Sequence, residues 1–554
     1  MAEPQDSPSP RSNDALMQEA LVRLQEALRS DPGLARSMPR PEVIHALQDD
    51  RLEAIQVLQR ACAAYAGRPA LGGRDFTLEP GAAGLERRWL PGFRTITYQD
   101  LWQRAVDLAA GLARDPRLAL RPGEAVGILG FGSPDWVVAD LACLHSGTVS
   151  AALPTGLAGP ELARIAAEAK LACVICALDC LAASLPALAR CPSVRGVAVM
   201  DCHPEAEEDA AILSQARARS PWPLPTLAEL SGLGRGAAPA APFLPEPGSD
   251  PPATLIYTSG STGSPKGAVL TQRIWRARLR QESSRYPGFP SIAVNFYPMS
   301  HAMGRLAVLR VLTVGGVMHF TLKSDLSTLF EDIRLARPTL LFLVPRIAGM
   351  IHQAYRAGLQ GRPGAWPAMA ASFLGDRLLL AVIGSAPVAP ELKAFLSDTF
   401  RIPVYEGYGS TEGGMLTVDG EINRALVSAY KLADVPELGY RTSDRPHPRG
   451  ELLVKPRQGI PGYLDDDGAS AALCDPEGFL RTGDIVEERA PDRIAWLDRK
   501  ANVVKLAQGE FVTLGRLEST FSGGSPCLDQ VYLHADGRRA CILGVVVPRW
   551  QAVR

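Results

Sequence analysis

The sequence lacks an excess of charge of either sign. Its 58 Lys and Arg residues face 59 Asp and Glu residues, so the net charge of the 554-residue chain is −1. Proteins that attract nucleic acid or anionic membranes by electrostatics carry a basic excess or a basic patch. We therefore expect no nucleic-acid partner.

Long apolar runs are missing as well. No stretch of the sequence approaches the roughly 18 apolar residues that suggest a membrane-spanning helix. The first residues, MAEPQDSPSPRSND, are polar and contain no apolar core of the kind that secretory signals carry. We expect a cytoplasmic protein without a membrane partner.

Cysteine is sparse and shows no disulfide-scaffold spacing. The ten cysteines are spread along the chain, and the one cluster is Cys173, Cys176 and Cys180 in LACVICALDC. A zinc site would need a fourth ligand, whereas these three lie among Val, Ile and Leu. We interpret them as core residues of a buried strand, because free cysteine packs as a small apolar residue.

The chain does contain two kinds of periodic pattern, and it is too long for a single core. Leu16, Ala20 and Leu24 recur at helical spacing, and with a similar stretch from Leu52 to Cys62 they predict a helical extension over residues 1–65. From about residue 97, short apolar runs alternate with helical patterns, which predicts an α/β fold with a mostly parallel sheet. The Pro- and Gly-rich segment 201–252 is predicted to be a long surface connection, and the section after residue 450 to be β-rich.

One stretch, YTSGSTGSPKGAVL at residues 257–270, combines glycines, hydroxyl side chains and a lysine directly after a predicted strand. Glycines let several backbone N–H groups converge on an anion, and the hydroxyls and Lys266 add donors and charge. A flexible polar turn is the alternative, but the order strand, loop, lysine and apolar run favours a polyphosphate site. A P-loop is disfavoured because Gly267, and not a hydroxyl residue, follows the lysine.

Further polar segments lie far away in the sequence. They are MSHAMGR at 299–305, GSAPV at 384–388, YEGYGSTEGG at 405–414, RTGDI at 481–485 and DRKANVVK at 498–505. Taken alone, a histidine such as His301 is more often a hydrogen-bonded structural residue than a catalytic one.

In this order, YTSGSTGSPKG, YGSTE, RTGD and DR with Lys505 beyond it resemble the adenylate-forming superfamily. More narrowly, PMSHAMGR, YKLADVPELGY, PHPRGELLVK and KLAQGEFVTLGRLES resemble the adenylation domain of carboxylic acid reductases. The resemblance implies a large α/β core over residues 66–497, with mixed sheets covered by helices and a β-rich section. Residues 498–554 would then be a hinge and the start of a small C-terminal lid.

The resemblance also implies a reaction, in which ATP activates a carboxylic acid to acyl-AMP and pyrophosphate leaves. This would be the first step in reducing the acid to an aldehyde. Glu412 would bind Mg²⁺, and His301, Thr411 and Lys505 would be catalytic. The nucleotide would contact Thr258, Ser259, Gly260, Ser261, Thr262, Gly263, Lys266, Ser385, Glu406, Gly407, Tyr408, Thr411, Asp484, Trp496, Leu497, Asp498, Arg499 and Lys505.

The sequence departs from the family pattern after the hinge. The catalytic lysine that relatives carry near the end of the lid has no counterpart, nor do a carrier domain with phosphopantetheine or an NADPH-dependent reductase domain. We expect a C-terminally truncated chain that hands its product to a carrier domain or to coenzyme A. Two alternatives stay open: an acyl-CoA ligase, and a nucleotide-binding remnant without turnover.

Overall fold

The computed structural model describes residues 12–82, 84–236, 241–259, 264–359, 373–386, 388–507, 511–525, 527–535 and 541–548. Within these ranges no helix is both long enough and apolar enough to cross a bilayer. The described α-helices are α1 (Asn13–Ser30), α2 (Pro32–Arg36), α3 (Pro41–Leu47), α4 (Ala54–Ala64), α5 (Tyr98–Arg114), α6 (Pro134–Ser146), α7 (Gly159–Glu168), α8 (Leu181–Leu188), α9 (Glu207–Arg219), α10 (Leu227–Gly234), α11 (Gln272–Ser284), α12 (Ala302–Val314), α13 (Leu329–Ala336), α14 (Pro345–Leu359), α15 (Pro390–Phe400), α16 (Asp467–Leu473) and α17 (Leu514–Gly524).

The strands form three larger sheets and two small hairpin sheets. The strands are β1 (Pro69–Pro80), β2 (Leu85–Thr97), β3 (Ala125–Leu129), β4 (Val149–Leu153), β5 (Leu171–Ala177), β6 (Gly196–Met200), β7 (Pro252–Ser259), β8 (Pro265–Thr271), β9 (Ile292–Asn295), β10 (Val317–Phe320), β11 (Leu340–Leu343), β12 (Leu380–Gly384), β13 (Val404–Ser410), β14 (Gly414–Val418), β15 (Glu421–Ile422), β16 (Val427–Ala433), β17 (Arg449–Pro456), β18 (Leu480–Ala490), β19 (Arg493–Arg499), β20 (Val503–Lys505), β21 (Phe511–Thr513), β22 (Leu528–His534) and β23 (Leu543–Pro548).

The six-stranded sheet has the order β6-β5-β3-β4-β7-β8, with β8 antiparallel to β7 and the other pairs parallel. All seven residues of β5 are buried, as expected for a parallel strand covered on both faces. Cys173 and Cys176 lie in this strand and are buried, which confirms their interpretation as core residues. The interpretation is wrong for Cys180, which lies after the strand in a short 3-10 turn and is only partly buried, because the chain leaves the sheet at Ala177. The predicted α/β class is confirmed.

The nine-stranded sheet, β11-β12-β13-β14-β15-β19-β18-β17-β16, is parallel from β11 to β13 and antiparallel beyond. Its parallel part ends in the GSAPV and YEGYGSTEGG segments, and its antiparallel part carries RTGDI on β18. This sheet therefore gathers at one place several of the polar segments that are far apart in sequence. A four-stranded sheet, β2-β1-β10-β9, completes the large layers.

The predicted N-terminal helices are confirmed. Ser12 caps α1 by accepting a hydrogen bond from the Ala15 N–H at 3.3 Å. Asn13 exchanges two hydrogen bonds with the backbone of Val404 on β13, both 3.1 Å long. Because buried residues of α1 and α4 belong to the same apolar core as the large sheets, these helices pack onto the main body of the protein.

The predicted surface connection over residues 201–252 is wrong, because this segment contains α9 and α10. Thr226 begins α10 with a capping box closed by Glu229. The helix packs so closely on α5 that a Cβ atom at Gly111 would lie 2.0 Å from the Leu230 carbonyl oxygen. Within the segment itself, a Cβ atom at Gly234 would lie 2.0 Å from the Asp107 carbonyl oxygen, so this glycine serves close helix packing, which composition alone did not reveal.

Candidate active site

The predicted phosphate loop joins β7 to β8 in an antiparallel hairpin. Thr258 pairs with Lys266 in the ladder, so the lysine projects from a strand and not from the start of a helix as in a P-loop. Gly260, Ser261, Thr262 and Gly263 lie outside the described residues, and for Ser259 only the backbone is described. The hairpin therefore fixes the backbone positions of Thr258 and Lys266 on both sides of the predicted loop.

Tyr463 connects this hairpin to the predicted magnesium ligand. Its phenol donates a hydrogen bond of 2.9 Å to Oε1 of Glu412, and the Lys266 ammonium lies 5.6 Å from its ring centre. Backbone hydrogen bonds hold the tyrosine segment against β8, including one of 2.8 Å from the Leu464 N–H to the Gly267 carbonyl. Burial, with the nearby Glu412 carboxylate, raises the pKa of Tyr463, so the phenol remains a donor at neutral pH. The sequence analysis missed this residue.

The turn that carries Thr411 and Glu412 is held from several sides. The Ser410 hydroxyl accepts from the Gly413 N–H at 3.0 Å, and the Ile460 N–H donates to the Glu412 carbonyl at 3.0 Å. From α11, the Arg278 guanidinium donates to the Thr411 carbonyl at 3.0 Å. These bonds hold the turn by its backbone N–H and carbonyl groups, so they leave the side chains of Thr411 and Glu412 available for function.

The predicted adenine site is a close junction between β12 and β13. Gly384 pairs with Gly407, and a Cβ atom at Gly384 would lie 2.7 Å from the Gly407 carbonyl oxygen. A Cβ atom at Gly409 would lie 2.2 Å from the carbonyl oxygen of Gly414. Side chains are excluded at both positions, so this part of the site is built from peptide backbone.

Two side chains flank that junction. Ser385 follows β12 with a left-handed φ of 68° and is exposed. The backbone N–H of Glu406 donates to Oδ1 of Asp419 at 2.8 Å, and burial raises the pKa of the Glu406 carboxyl. Their predicted contacts with the base stay predictions.

The predicted ribose site is built around Asp484, which is 3% exposed. Its Oδ2 accepts from the Tyr408 hydroxyl at 2.7 Å, and its Oδ1 accepts from the Trp496 indole N–H at 3.3 Å. Nε of Arg499 lies 3.5 Å from the same Oδ1. Burial raises the pKa of Asp484 despite these donors, and burial together with the carboxylate raises the pKa of Tyr408.

The β18–β19 register explains how residues on one strand reach this carboxylate. Ile485 pairs with Asp498 and Val486 with Trp496, so Leu497 is an extra residue in a bulge. The bulge lets Trp496 and Arg499 both approach Asp484. Leu497 packs instead beside an apolar cluster with Ile485.

Asp498 is fully buried, and its carboxylate binds backbone groups. It accepts from the Arg499 N–H at 2.7 Å and from the Gly515 N–H at 3.1 Å. The residue thus joins the end of β19 to the first turn of α17. Its predicted contact with the nucleotide stays a prediction.

His301 is the N-cap of α12, where its Nδ1 accepts from the Met303 N–H at 3.2 Å. Although the residue is exposed, surrounding atoms desolvate the ring and lower the pKa of the imidazole. Farther along the helix, Leu306 lines a cleft together with Gly413, Gly414 and Met415. The helix therefore runs from His301 toward the turn that carries Thr411.

The last predicted residue, Lys505, ends β20 and pairs with Phe511. Its backbone is described and its side chain is not. The described residues contain no group of three or more His, Cys, Asp or Glu side chains that could hold a metal ion by themselves. Any metal at Glu412 would therefore take most of its ligands from elsewhere, as Mg²⁺ does when it binds nucleotide phosphates.

Known proteins resemble this chain in sequence. Residues 58–464 match the family described as AMP-binding enzyme. The chain is 39% identical over 551 residues to a carboxylic acid reductase of Mycobacterium tuberculosis, and 39% identical over 553 residues to one of Mycobacterium marinum. These matches cover 96% of this chain but 46% and 47% of the reductases, so the chain spans about half their length.

Solved structures resemble it in fold. The adenylation domain of the carboxylic acid reductase from Segniliparus rugosus, in complex with AMP and a co-purified carboxylic acid, matches with a TM-score of 0.90 and 35% identity, covering 96% of this chain and 88% of that one. The adenylation domain of a carboxylate reductase from Mycobacterium chelonae matches with a TM-score of 0.92 and 36% identity, covering 100% of this chain and 88% of that one. The chain therefore belongs to the AMP-binding enzyme family and, within it, to the adenylation domains of carboxylic acid reductases.

Proposed function

We propose that this chain uses ATP to convert a carboxylic acid into acyl-AMP and pyrophosphate, as the first step of its reduction to an aldehyde. The observation that carries the proposal is the chain of contacts from Lys266 through Tyr463 to Glu412. Tyr463 thus has the phosphate-loop lysine near its ring and the carboxylate of the YGSTE motif at its hydroxyl. A positive charge and a metal-binding oxygen are what the transfer of a nucleotidyl group requires.

In the proposed reaction, a carboxylate oxygen of the acid attacks the α-phosphorus of ATP. The new bond joins that oxygen to phosphorus, the bond from phosphorus to the bridging oxygen of pyrophosphate breaks, and no proton is transferred. The protein's part is to align the two reactants and to offset negative charge. Lys266 would attract the departing pyrophosphate, and the Thr411 hydroxyl would donate to the α-phosphate.

Asp484 would bind the ribose. Two carboxylate oxygens suit the two neighbouring hydroxyls of the sugar. Oδ2 accepts one hydrogen bond, from Tyr408, whereas Oδ1 accepts from Trp496 and also lies 3.5 Å from Nε of Arg499. Arg499 and Trp496 would border the ribose, and Ser385, Glu406, Gly407 and Tyr408 the base. The raised pKa of Tyr408 keeps its hydroxyl a donor to the carboxylate.

Magnesium fits this site. Glu412 offers a carboxylate, whose hard oxygens suit Mg²⁺, and the Tyr463 hydrogen bond fixes one of them in place. Bound Mg²⁺ would neutralise phosphate charge, and Glu412 would hold it together with the phosphates of ATP. His301 would lie beside the carboxylate of the acid. Because desolvation lowers the pKa of its imidazole, the ring would be neutral there at neutral pH.

The acceptor of the acyl group is proposed to be a carrier domain. A structure that joins the adenylation domain of the Segniliparus rugosus reductase to its carrier domain, in complex with AMP, covers 96% of this chain with a TM-score of 0.91. In the whole reductase, phosphopantetheine on the carrier and NADPH in a further domain would complete the reduction. Residues 499–501 would be the hinge on which the segment after β19 moves.

The test is to mix the protein with ATP, Mg²⁺, hydroxylamine and either benzoate or hexanoate. We expect acid-dependent release of pyrophosphate and formation of the hydroxamate. If a folded sample that binds ATP gives neither product with any acid, the proposal is wrong and the chain binds nucleotide without turnover. Thioester formation with free coenzyme A in place of hydroxylamine would indicate a ligase instead.

A further inference from the structure

A cleft beside the Thr411 turn is unusually polar for a site that would hold the tail of a fatty or aromatic acid. It lies between α11, α12 and β14, and its lining includes Arg278, Gln281, Arg285, Leu306, Met415 and Gln458. Leu306 lies on the helix that His301 caps, and Arg278 hydrogen-bonds to the Thr411 carbonyl. The cleft is therefore next to the Thr411 turn, and the helix that lines it begins at His301.

Arg278 is the distinctive group in this cleft. Arg278 is 7% exposed, and its side chain forms no ion pair within the described residues. Its one hydrogen bond to a described residue is the bond from Nη2 to the Thr411 carbonyl. A guanidinium has five N–H donors, so one carbonyl leaves most of its donor capacity for another partner.

None of the described carboxylates forms an ion pair with Arg278. Glu282 is the nearest acidic lining residue on α11, but its Oε1 is 2.9 Å from Nη2 of Arg285 and is thereby paired. Asp140 pairs with Arg305. Burial, and next the charge of Arg305, lower the pKa of Arg278 to about 10, while the charges of Glu412 and Glu282 act in the opposite direction, so the group still carries its charge at neutral pH.

The charge count around the cleft is positive. The charged side chains that line it are two arginines, Arg278 and Arg285, and one carboxylate, Glu282. A bound Mg²⁺ at Glu412 would increase the excess. A buried cation with spare donors in a positive environment favours an anion as its partner, because a charge away from water is costly unless it is paired.

We propose that the acid selected by this chain carries a second anionic group, a distal carboxylate that binds Arg278 while the first carboxylate reacts at the Thr411 turn. Gln281 and Gln458 would donate or accept additional hydrogen bonds to such a tail. The inference rests on the proposed function, since it identifies the substrate class of the same site. The substrate class is therefore a dicarboxylic acid, and a plain fatty acid would leave the guanidinium unpaired.

The test compares acids of equal length in the pyrophosphate assay. We expect the wild-type protein to show a higher kcat/KM for adipate than for hexanoate, and Arg278→Met to reduce the adipate-to-hexanoate ratio at least tenfold. Arg278→Lys keeps the charge and should retain part of the preference. Arg273→Met, an exposed arginine on the same helix paired with Asp250, is the matched control and should leave the ratio unchanged.

Because the ratio is taken within one variant, damage to the Thr411 turn affects both acids and cancels. An Arg278→Met protein that loses activity equally with both acids would show that Arg278 only supports the turn, which overturns the inference. Wild-type preference for hexanoate overturns it too, whether or not the variants fold. Activity with hexanoate alone thus rejects the substrate class and leaves the proposed function intact, whereas no pyrophosphate with any acid rejects both.

Discussion

Replacing Asp484 by asparagine separates the function of this residue from its contribution to stability. In the wild-type protein, Tyr408 donates to Oδ2, and Trp496 donates to Oδ1, which also lies 3.5 Å from Nε of Arg499. The asparagine side chain would have a single acceptor oxygen and no charge. The amide oxygen can accept from Trp496, with the NH₂ group donating to the Tyr408 oxygen, so the fold can accommodate the change.

The magnitude follows from the hydrogen bond that the nucleotide loses. A hydrogen bond to a charged group contributes about 1.5–3 kcal/mol, and each 1.4 kcal/mol is a factor of about ten in affinity. We therefore expect Asp484→Asn to weaken ATP binding about 10- to 150-fold. Isothermal calorimetry with ATP measures this directly. Glu487→Gln on the same strand is the matched control. Among the described residues, Glu487 forms its ion pair with the exposed Arg489, and both residues follow the RTGD motif in the sequence.

Stability should move the other way. The folded-state pKa of Asp484 is raised by burial, so the folded protein binds the proton more tightly than the unfolded chain does. The stability contributed by this group therefore falls as pH rises through the folded pKa, and a neutral amide avoids that loss. At pH 7 and without nucleotide, Asp484→Asn should unfold at a denaturant concentration no lower than the wild type does. Unchanged ATP affinity, or a large loss of stability, would refute this account of Asp484.

Three other changes test separate parts of the structure. Glu412→Gln should raise the Mg²⁺ concentration for half-maximal pyrophosphate release about tenfold or more, because it removes the charged oxygen ligand; an unchanged Mg²⁺ dependence would place the ion elsewhere. Gly111→Ala should lower the free energy of unfolding by about 1–3 kcal/mol, as measured by urea denaturation, since its methyl group would meet the Leu230 carbonyl; unaltered stability would mean that α10 can move aside. Desolvation lowers the pKa of His301 below its ordinary value of about 6.5, so the imidazole is neutral at higher pH and the KM for the acid should stay constant between about pH 7.5 and 8.5. A change in KM over that range that disappears in His301→Asn would contradict this.

The sequence predicted the parts of the molecule that depend on local pattern. The buried run LACVICA predicted β5, and the helical spacing around Leu16 predicted α1, because burial on one or two faces leaves a periodic trace in the residues. The motifs also predicted which segments would meet, as shown by the Tyr408–Asp484 contact across the nine-stranded sheet. The burial patterns are local in sequence, and the motifs consist of residue types that suit a particular reaction.

What could not be predicted depends on packing between distant segments. Tyr463 is one tyrosine in an ordinary PGYLDDD sequence, and its link to Glu412 exists only because its segment pairs with β8. The helix α10 is short and lies in a stretch whose glycines resemble those of a loop. Thr226 and Glu229 were its available signal, since their spacing is that of a capping box.

The close contacts at Gly384 and Gly409 affect how this protein can change during evolution. A side chain at either position would collide with backbone atoms, so this part of the predicted adenine site is effectively closed to variation. The cleft around Arg278 is lined instead by side chains from two helices and a strand, and single substitutions can reshape it. If the cleft binds the acid as proposed, mutation can redirect such a domain to new acids without altering the backbone of the predicted nucleotide site.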